Sequence, residues 1–191
     1  MNKLIYFNIA KNFTFALCFV LLCSFSLEAS EKVSAKQRSE LAEIKLKFAF
    51  INKFIEYIDK GWQEAYKDNI IIIDIIGEVD KEKAVLLKNF ERNRIKNLPV
   101  KIRVNSDIDD LINSDIIYVT NGSKHKIEQI LQKCKKAVLS VGDIKYFIDQ
   151  GGVIEFYNYR GRVRFDIDDN KAKEKGIFFN AKLLELSEVG Q

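Results

Sequence analysis

The sequence predicts an α/β domain: a mostly parallel sheet with helices on both faces and a C-terminal antiparallel β-hairpin. Three observations carry that expectation. Continuous β-branched runs, Asn69-Ile70-Ile71-Ile72-Ile73-Asp74-Ile75-Ile76-Gly77 and Asp115-Ile116-Ile117-Tyr118-Val119-Thr120, read as strands covered on both faces. Segments with helical spacing alternate with them, as in parallel sheets built from crossovers. After Gly151-Gly152 the period drops to two, and Val153 to Tyr157 and Arg162 to Ile167 flank the Gly-containing turn Asn158-Tyr159-Arg160-Gly161.

The N-terminus stands apart from this pattern. Lys3 and Lys11 precede Phe13 to Phe25, an almost wholly apolar run that ends in small residues. That run suits the core of a signal peptide and is short of the ~20 residues a spanning helix needs. Ser24-x-Ser26 and Leu27-x-Ala29 both offer exits for cleavage, and residues 1–29 are taken as the signal. Export to a bacterial periplasm follows, with residues 30–191 as one domain. An uncleaved N-terminal anchor, or a lipid on Cys23, is the alternative for the same stretch; Leu22 before Cys23 argues against the lipid.

A long helix is expected from about Ala35 to Lys60. Leu41, Ile44, Phe48, Ile51, Ile55 and Ile58 recur at spacings of three and four. A second stripe, Leu46, Phe50, Phe54 and Tyr57, lies beside the first and widens the apolar arc. Two stripes suit packing on a sheet plus a second contact, either a second subunit in a homodimer or deep burial in one domain. Lys81 to Phe90 continues as a helix, Val100 to Val104 as a strand with one exposed face, and Ser106 is placed to cap a short helix through Leu111. Lys124 to Lys133 is read as a helix capped by Ser123, and Ala137 to Val141 as a strand. Ile144 to Ile148 is read as a short helix closed by Gly151-Gly152. Helical segments near Asn170 to Lys175 and Ala181 to Ser187 end the chain.

The 191 residues are 47% hydrophobic and 30% charged, which excludes disorder, and one Pro with nine Gly excludes collagen-like or linker architectures. A net charge of +4 is too weak to argue for nucleic acid, and none is expected as a partner. One His rules out a histidine metal cage within a single chain, and that residue, His125, is read as a charged surface side chain just inside a helix and not as the base of a nucleophile triad. Gly77-Glu78-Val79-Asp80 follows a strand but matches no phosphate loop, and its acids repel phosphate. Asp166-Ile167-Asp168-Asp169-Asn170 lacks the Gly and Glu of a calcium loop, so a strand end with an Asp helix cap is the better account. No catalytic, metal or cofactor site is assigned, and paired carboxylates are not singled out. Cys18 and Cys23 fall in the signal, which leaves Cys134 alone, either tucked toward the core or activated by neighbouring Lys. The one directional polar feature is Arg160, Arg162 and Arg164. Arg162 and Arg164 project from one face of a strand, to hold an acidic partner surface or to pair with Glu155 and Asp166.

The C-terminal third carries a pattern of its own. Val138-Leu139-Ser140-Val141-Gly142-Asp143 is followed by Phe147, Gly151-Gly152-Val153-Ile154, Arg162-Val163-Arg164-Phe165-Asp166-Ile167 and Ala181-Lys182-Leu183-Leu184-Glu185-Leu186. In order and spacing this resembles the YfiR-like periplasmic family, with its "VLTVGD…F…GG.I" stretch, "RVRFEIN" strand and terminal "S..LL.LA" helix. Lys45 to Phe54 resembles the family's opening aromatic helix. The chain departs where the family often has Trp-Pro after that helix: here Gly61-Trp62 stands without Pro, and Asp168 replaces the Asn. The disulfide-dependent redox control linked to the family has no internal pair once Cys18 and Cys23 leave with the signal and Cys134 remains alone. The resemblance implies a regulator and not an enzyme. Its partner would be the periplasmic part of an inner-membrane diguanylate cyclase, or a sensor kinase, held inactive in cyclic di-GMP signalling and biofilm control. The rival reading from the residues is a periplasmic small-ligand-binding protein with no signalling partner.

Overall fold

The computed structural model describes residues 34–60, 69–104, 106–134 and 137–188. The expected signal, residues 1–29, and the Gly61-Trp62 departure lie outside them. Two compact units divide the chain at Ala42 and Glu43. In the first, residues 34–42 are helical and mostly exposed. The second holds the helical residues 43–56, which are α1, and everything after them.

A seven-stranded sheet runs in the order β3-β4-β2-β5-β6-β7-β8. Its strands are β2 (Ile71–Ile76), β3 (Arg94–Ile95), β4 (Leu98–Val104), β5 (Ile116–Val119), β6 (Leu139–Gly142), β7 (Ile154–Tyr159) and β8 (Arg162–Ile167). The strands from β4 to β7 pair in parallel, whereas β3–β4 and β7–β8 are antiparallel. The sheet is therefore mixed, with an antiparallel pair at each edge, where a mostly parallel sheet with one such edge was expected. The chain continues past the β7–β8 pair with the two helical segments expected there, α4 (Asp169–Glu174) and α5 (Ala181–Glu188). Between them β9 (Phe178–Phe179) pairs with β1 (Ile58–Lys60) in a separate two-stranded sheet. That pairing also ends α1 sooner than its apolar spacing implies, because Ile58 enters a strand.

Side-chain alternation sorts the strands into two apolar clusters, as the pleat requires. Ile71, Ile73, Ile75, Ile116 and Tyr118 join Phe48, Ile51, Phe54 and Ile55 of α1 and Leu183 of α5. Ile76, Ile117 and Val119 join Leu111, Phe147 and Ile127 and Ile130 of α3 (Ile127–Lys133). The helix expected over Lys124 to Lys133 begins as a 3₁₀ turn, Asn121–Lys126, without a side-chain cap, so Ser123 is buried and not a cap. Ser106 is not a cap either. Its hydroxyl is drawn to the buried Asp74, leaving the 3₁₀ helix Ile108–Asn113 uncapped by a side chain. Ile144 to Gln150 forms successive turns in place of a short helix.

The two hairpins share one device. Lys96 and Asn97 between β3 and β4 have φ of 47° and 65°, and Arg160 and Gly161 between β7 and β8 have φ of 51° and 75°. Positive φ at both central residues is the signature of the two-residue turn that matches strand twist. The β7–β8 turn is thus Arg160-Gly161, because Asn158 and Tyr159 stay in the ladder opposite Val163 and Arg162.

Candidate functional site

The family-like sequence elements meet on the β6–β7–β8 side of the sheet. Gly142 and Gly152 bracket the Phe147 ring, and a Cβ at either would lie 2.2 Å from it. No larger residue fits, so the two glycines and the ring form one clamp that fixes the turn before β7. Asp143, next in sequence, accepts from Lys47 Nζ at 2.7 Å and from the Tyr118 hydroxyl at 3.1 Å. Lys47 is buried and also pairs with Glu43. Burial, then the nearby Asp143 carboxylate, push the Tyr118 hydroxyl well above its ordinary pKa. The charged pair therefore ties α1 to the end of β6, and a buried ion pair of this kind sets position more than it adds stability.

Glu155 of β7 holds the same turn from the other side. Its carboxylate accepts from the Tyr146 N–H at 3.0 Å and the Ile148 N–H at 3.3 Å. Among the described residues it is engaged with backbone and forms no ion pair with the arginines. A cleft of about 620 Å³ lies against this turn, lined by Asp143, Tyr146, Asp149, Tyr157 and Asp166 among others.

The three expected partner-binding arginines spread along the hairpin. Arg160 is exposed at the turn with its guanidinium 5.1 Å from the Tyr159 ring, a cation–π distance. Arg162 is exposed and stands opposite Tyr159, and Arg164 is half-buried opposite Tyr157. Arg164 Nε and Asp166 Oδ1 are both shielded from solvent without a hydrogen-bond partner among the described residues. Burial, opposed by the Tyr157 hydroxyl, raises the Asp166 carboxyl. The four helix residues expected at a dimer face fall differently. Phe54 is fully buried, with its ring 4.7 Å from Phe165. Phe50 packs on Phe165 at 5.4 Å and Tyr57 is half-buried, while Leu46 is 45% exposed. The second stripe thus serves the chain's own core at Phe54, which has no surface to give a second subunit.

A second crevice sits where the sheet changes direction. β2 lies between β4 and β5, and the crevice of about 620 Å³ opens at their carboxyl ends, lined by Glu78, Ser106, Asp107, Ser123, His125 and Lys126 among others. Crevices in this position are the usual ligand sites of open α/β sheets. Beneath it, fully buried Asp74 receives Arg103 through both oxygens, with Ser106, and the Ser114 hydroxyl at 2.6 Å. Asp74 lies inside the apolar run of β2 and stands out only through its neighbour, since Asp74 and Arg103 occupy matched places in two adjacent strands. Cys134 donates to the Ile130 carbonyl at 3.2 Å, and burial pushes its thiol up to about 11. It is tucked toward the core and not activated. Among the described residues no group of His, Cys, Asp and Glu could hold a metal ion, and no helix is long and apolar enough to cross a membrane.

No curated protein matches the chain. Among solved structures it is similar to a conserved domain protein from Vibrio cholerae O1 biovar El Tor str. N16961, at a TM-score of 0.51 and 12% identity. The match covers 75% of this chain and only 58% of that one, and at this identity it shows the fold alone. The YfiR/HmsC-like family matches residues 44–188, the span that holds α1 from Ile44, the Lys47–Asp143 tie, the Phe147 clamp and the arginine-bearing hairpin, and the chain belongs to that family.

Proposed function

We propose that this chain is an exported periplasmic regulator that binds the periplasmic part of an inner-membrane signalling enzyme and holds it inactive. The enzyme is taken to be a diguanylate cyclase, with a sensor histidine kinase as the second choice. The observation that carries this reading is the family match over residues 44–188, since the YfiR/HmsC-like family suggests a periplasmic regulator and not an enzyme. The basic-apolar-small N-terminus supports export, with residues 1–29 removed as a signal. The hairpin supports a protein partner. Arg160 and Arg162 project at its exposed tip, with Arg164 behind them, and suit an acidic surface.

Inhibition of this kind is a population shift, so the regulator must bind the inactive receptor more tightly than the active one. Moving the receptor from 1:99 to 99:1 needs about 5.5 kcal/mol of differential affinity. An ordinary protein interface supplies that. The crevice at the carboxyl ends of β2, β4 and β5 favours a second reading, a periplasmic small-ligand-binding protein with no signalling partner.

Deleting the gene in its host and measuring cyclic di-GMP tests the first reading. It predicts a rise that is reversed by the exported form and not by a form lacking residues 1–29. An unchanged level, with expression of the gene confirmed in the parent strain, contradicts cyclase inhibition and leaves the kinase and ligand-binding readings.

A further inference from the structure

β8 is the last strand of the large sheet. The Asp168 N–H donates to the Val153 carbonyl at 2.9 Å, in line with the β7–β8 register. Hydrogen-bonded pairs alternate along an antiparallel ladder, so Arg162, Arg164 and Asp166 bond inward to β7. The N–H and C=O groups of Val163, Phe165 and Ile167 then point out of the sheet. Among the described residues none of these three amides donates a hydrogen bond. Helix α5 packs against β8, with its Leu183 in the same apolar cluster as Phe165, but among the described residues no hydrogen bond joins it to these three backbone positions. An edge left in this state is a template for another strand.

The edge is also its own complement. When two copies of β8 run antiparallel about a two-fold axis at Phe165, Val163 of one meets Ile167 of the other. All the outward backbone groups then find partners, in about six hydrogen bonds. In this register Arg164 stands opposite Asp166 and Arg162 opposite Asp168, each pair on one face and of opposite charge. These crossings fall at the non-hydrogen-bonded positions, where side chains approach most closely. Moving the axis to Arg164 sets Arg164 against itself, and moving it to Asp166 sets Asp166 against itself. The charge pattern therefore selects one register among those that satisfy the backbone.

We infer that β8 pairs antiparallel with β8 of a second copy of this chain, about a two-fold axis at Phe165, joining the two large sheets edge to edge. The contact is isologous, so it closes at two copies and does not propagate.

Sedimentation velocity of the protein purified from the periplasm, over a concentration series, tests the inference. The wild type should dimerise. Arg164→Asp and Asp166→Arg each put like charges at the central crossings and should weaken the dimer about tenfold or more, a change of ~1.4 kcal/mol. Mixed one to one, the two variants place opposite charges at both crossings, so native mass spectrometry should find the heterodimer in excess over either homodimer. Circular dichroism of each variant identifies any that has failed to fold. For that case Arg162→Asp gives an independent reversal at the outer crossing, with a smaller expected weakening because Asp168 already accepts from the Lys171 N–H at 2.8 Å. A wild type that stays monomeric, a dimer indifferent to the reversals, or folded variants that do not form the mixed dimer would overturn the assignment.

Discussion

At one edge of the large sheet, β4 is longer than the β3 segment that pairs with it, and its Ile102 faces outward beyond that partner. Glu91 accepts the Ile102 N–H at 2.7 Å and Lys88 donates to the Ile102 carbonyl, so a Lys–Glu pair from the end of helix α2 (Lys81–Lys88) and the 3₁₀ turn Asn89–Arg92 stands where a strand would be. Burial pushes the Glu91 carboxyl up, but the Ile102 N–H and Lys88 together hold it below its ordinary value. At the other edge, the outward amides of β8 meet no such group among the described residues. The same backbone requirement is thus met inside the chain at β4 and left unmet at β8. Closing one edge with side chains and leaving the other open directs association to the open one.

The largest expected effect comes from loosening what holds β8 in place. Phe147→Ala empties the clamp between Gly142 and Gly152 and should cost about 3–5 kcal/mol in urea denaturation. A loss below about 1 kcal/mol would mean the turn before β7 is held by Glu155 alone. Next is an alkaline test that spares both edges and weakens the layer beneath them. The folded pKa of Cys134 is raised to about 11 from 9.0, so its contribution is present below pH 9 and is lost as pH rises through 11. The raised Tyr118 hydroxyl acts in the same direction. Denaturation curves should therefore show stability falling above about pH 9. Folded protein at pH 8 should also be alkylated at Cys134 about 100-fold more slowly than unfolded protein; equal rates would show the thiol is not buried.

Opening the closed edge should have a comparable or smaller effect. Glu91→Ala leaves the Ile102 N–H without its acceptor and should cost about 1–3 kcal/mol. It should also raise self-association, seen by light scattering, while Glu91→Gln keeps an acceptor and most of the stability. The smallest effect is at the β7–β8 turn. Arg160 holds φ of 51°, a conformation Asn and Gly adopt more readily. Arg160→Asn should stabilise the chain by about 0.5–1 kcal/mol, measured as a raised denaturation midpoint. No gain would indicate that the Tyr159 contact compensates for the backbone conformation.

Much of this architecture was legible because single segments carry it. The isoleucine run of β2 and the Ile116–Val119 core of β5 fit only strands covered on both faces, and the alternation of Val163, Phe165 and Ile167 with Arg162, Arg164 and Asp166 sets both faces of β8. The Asp168 cap was also readable, and its carboxylate accepts from the Lys171 N–H at 2.8 Å. What stayed hidden depends on distant partners. β1, β3 and β9 are two or three residues long and exist only through pairing, so they leave no period. Ser106 has the chemistry of a helix cap, but buried Asp74 offers it a stronger acceptor. The second α1 stripe was visible, yet its use was not, since only the sheet decides that Phe54 meets Phe165 at 4.7 Å. The arginines of the hairpin were found by alternation, whereas the open edge beside them is a property of strand order.

Amide hydrogen exchange tests the contrast between the two edges most directly. The Ile102 amide should be protected at every protein concentration, because its acceptor belongs to the same chain. The Val163 and Phe165 amides should exchange fast in dilute protein and become protected as concentration rises and β8 finds a second copy. Protection of Val163 and Phe165 that does not change with concentration, or exchange that stays fast in concentrated protein, would contradict the account.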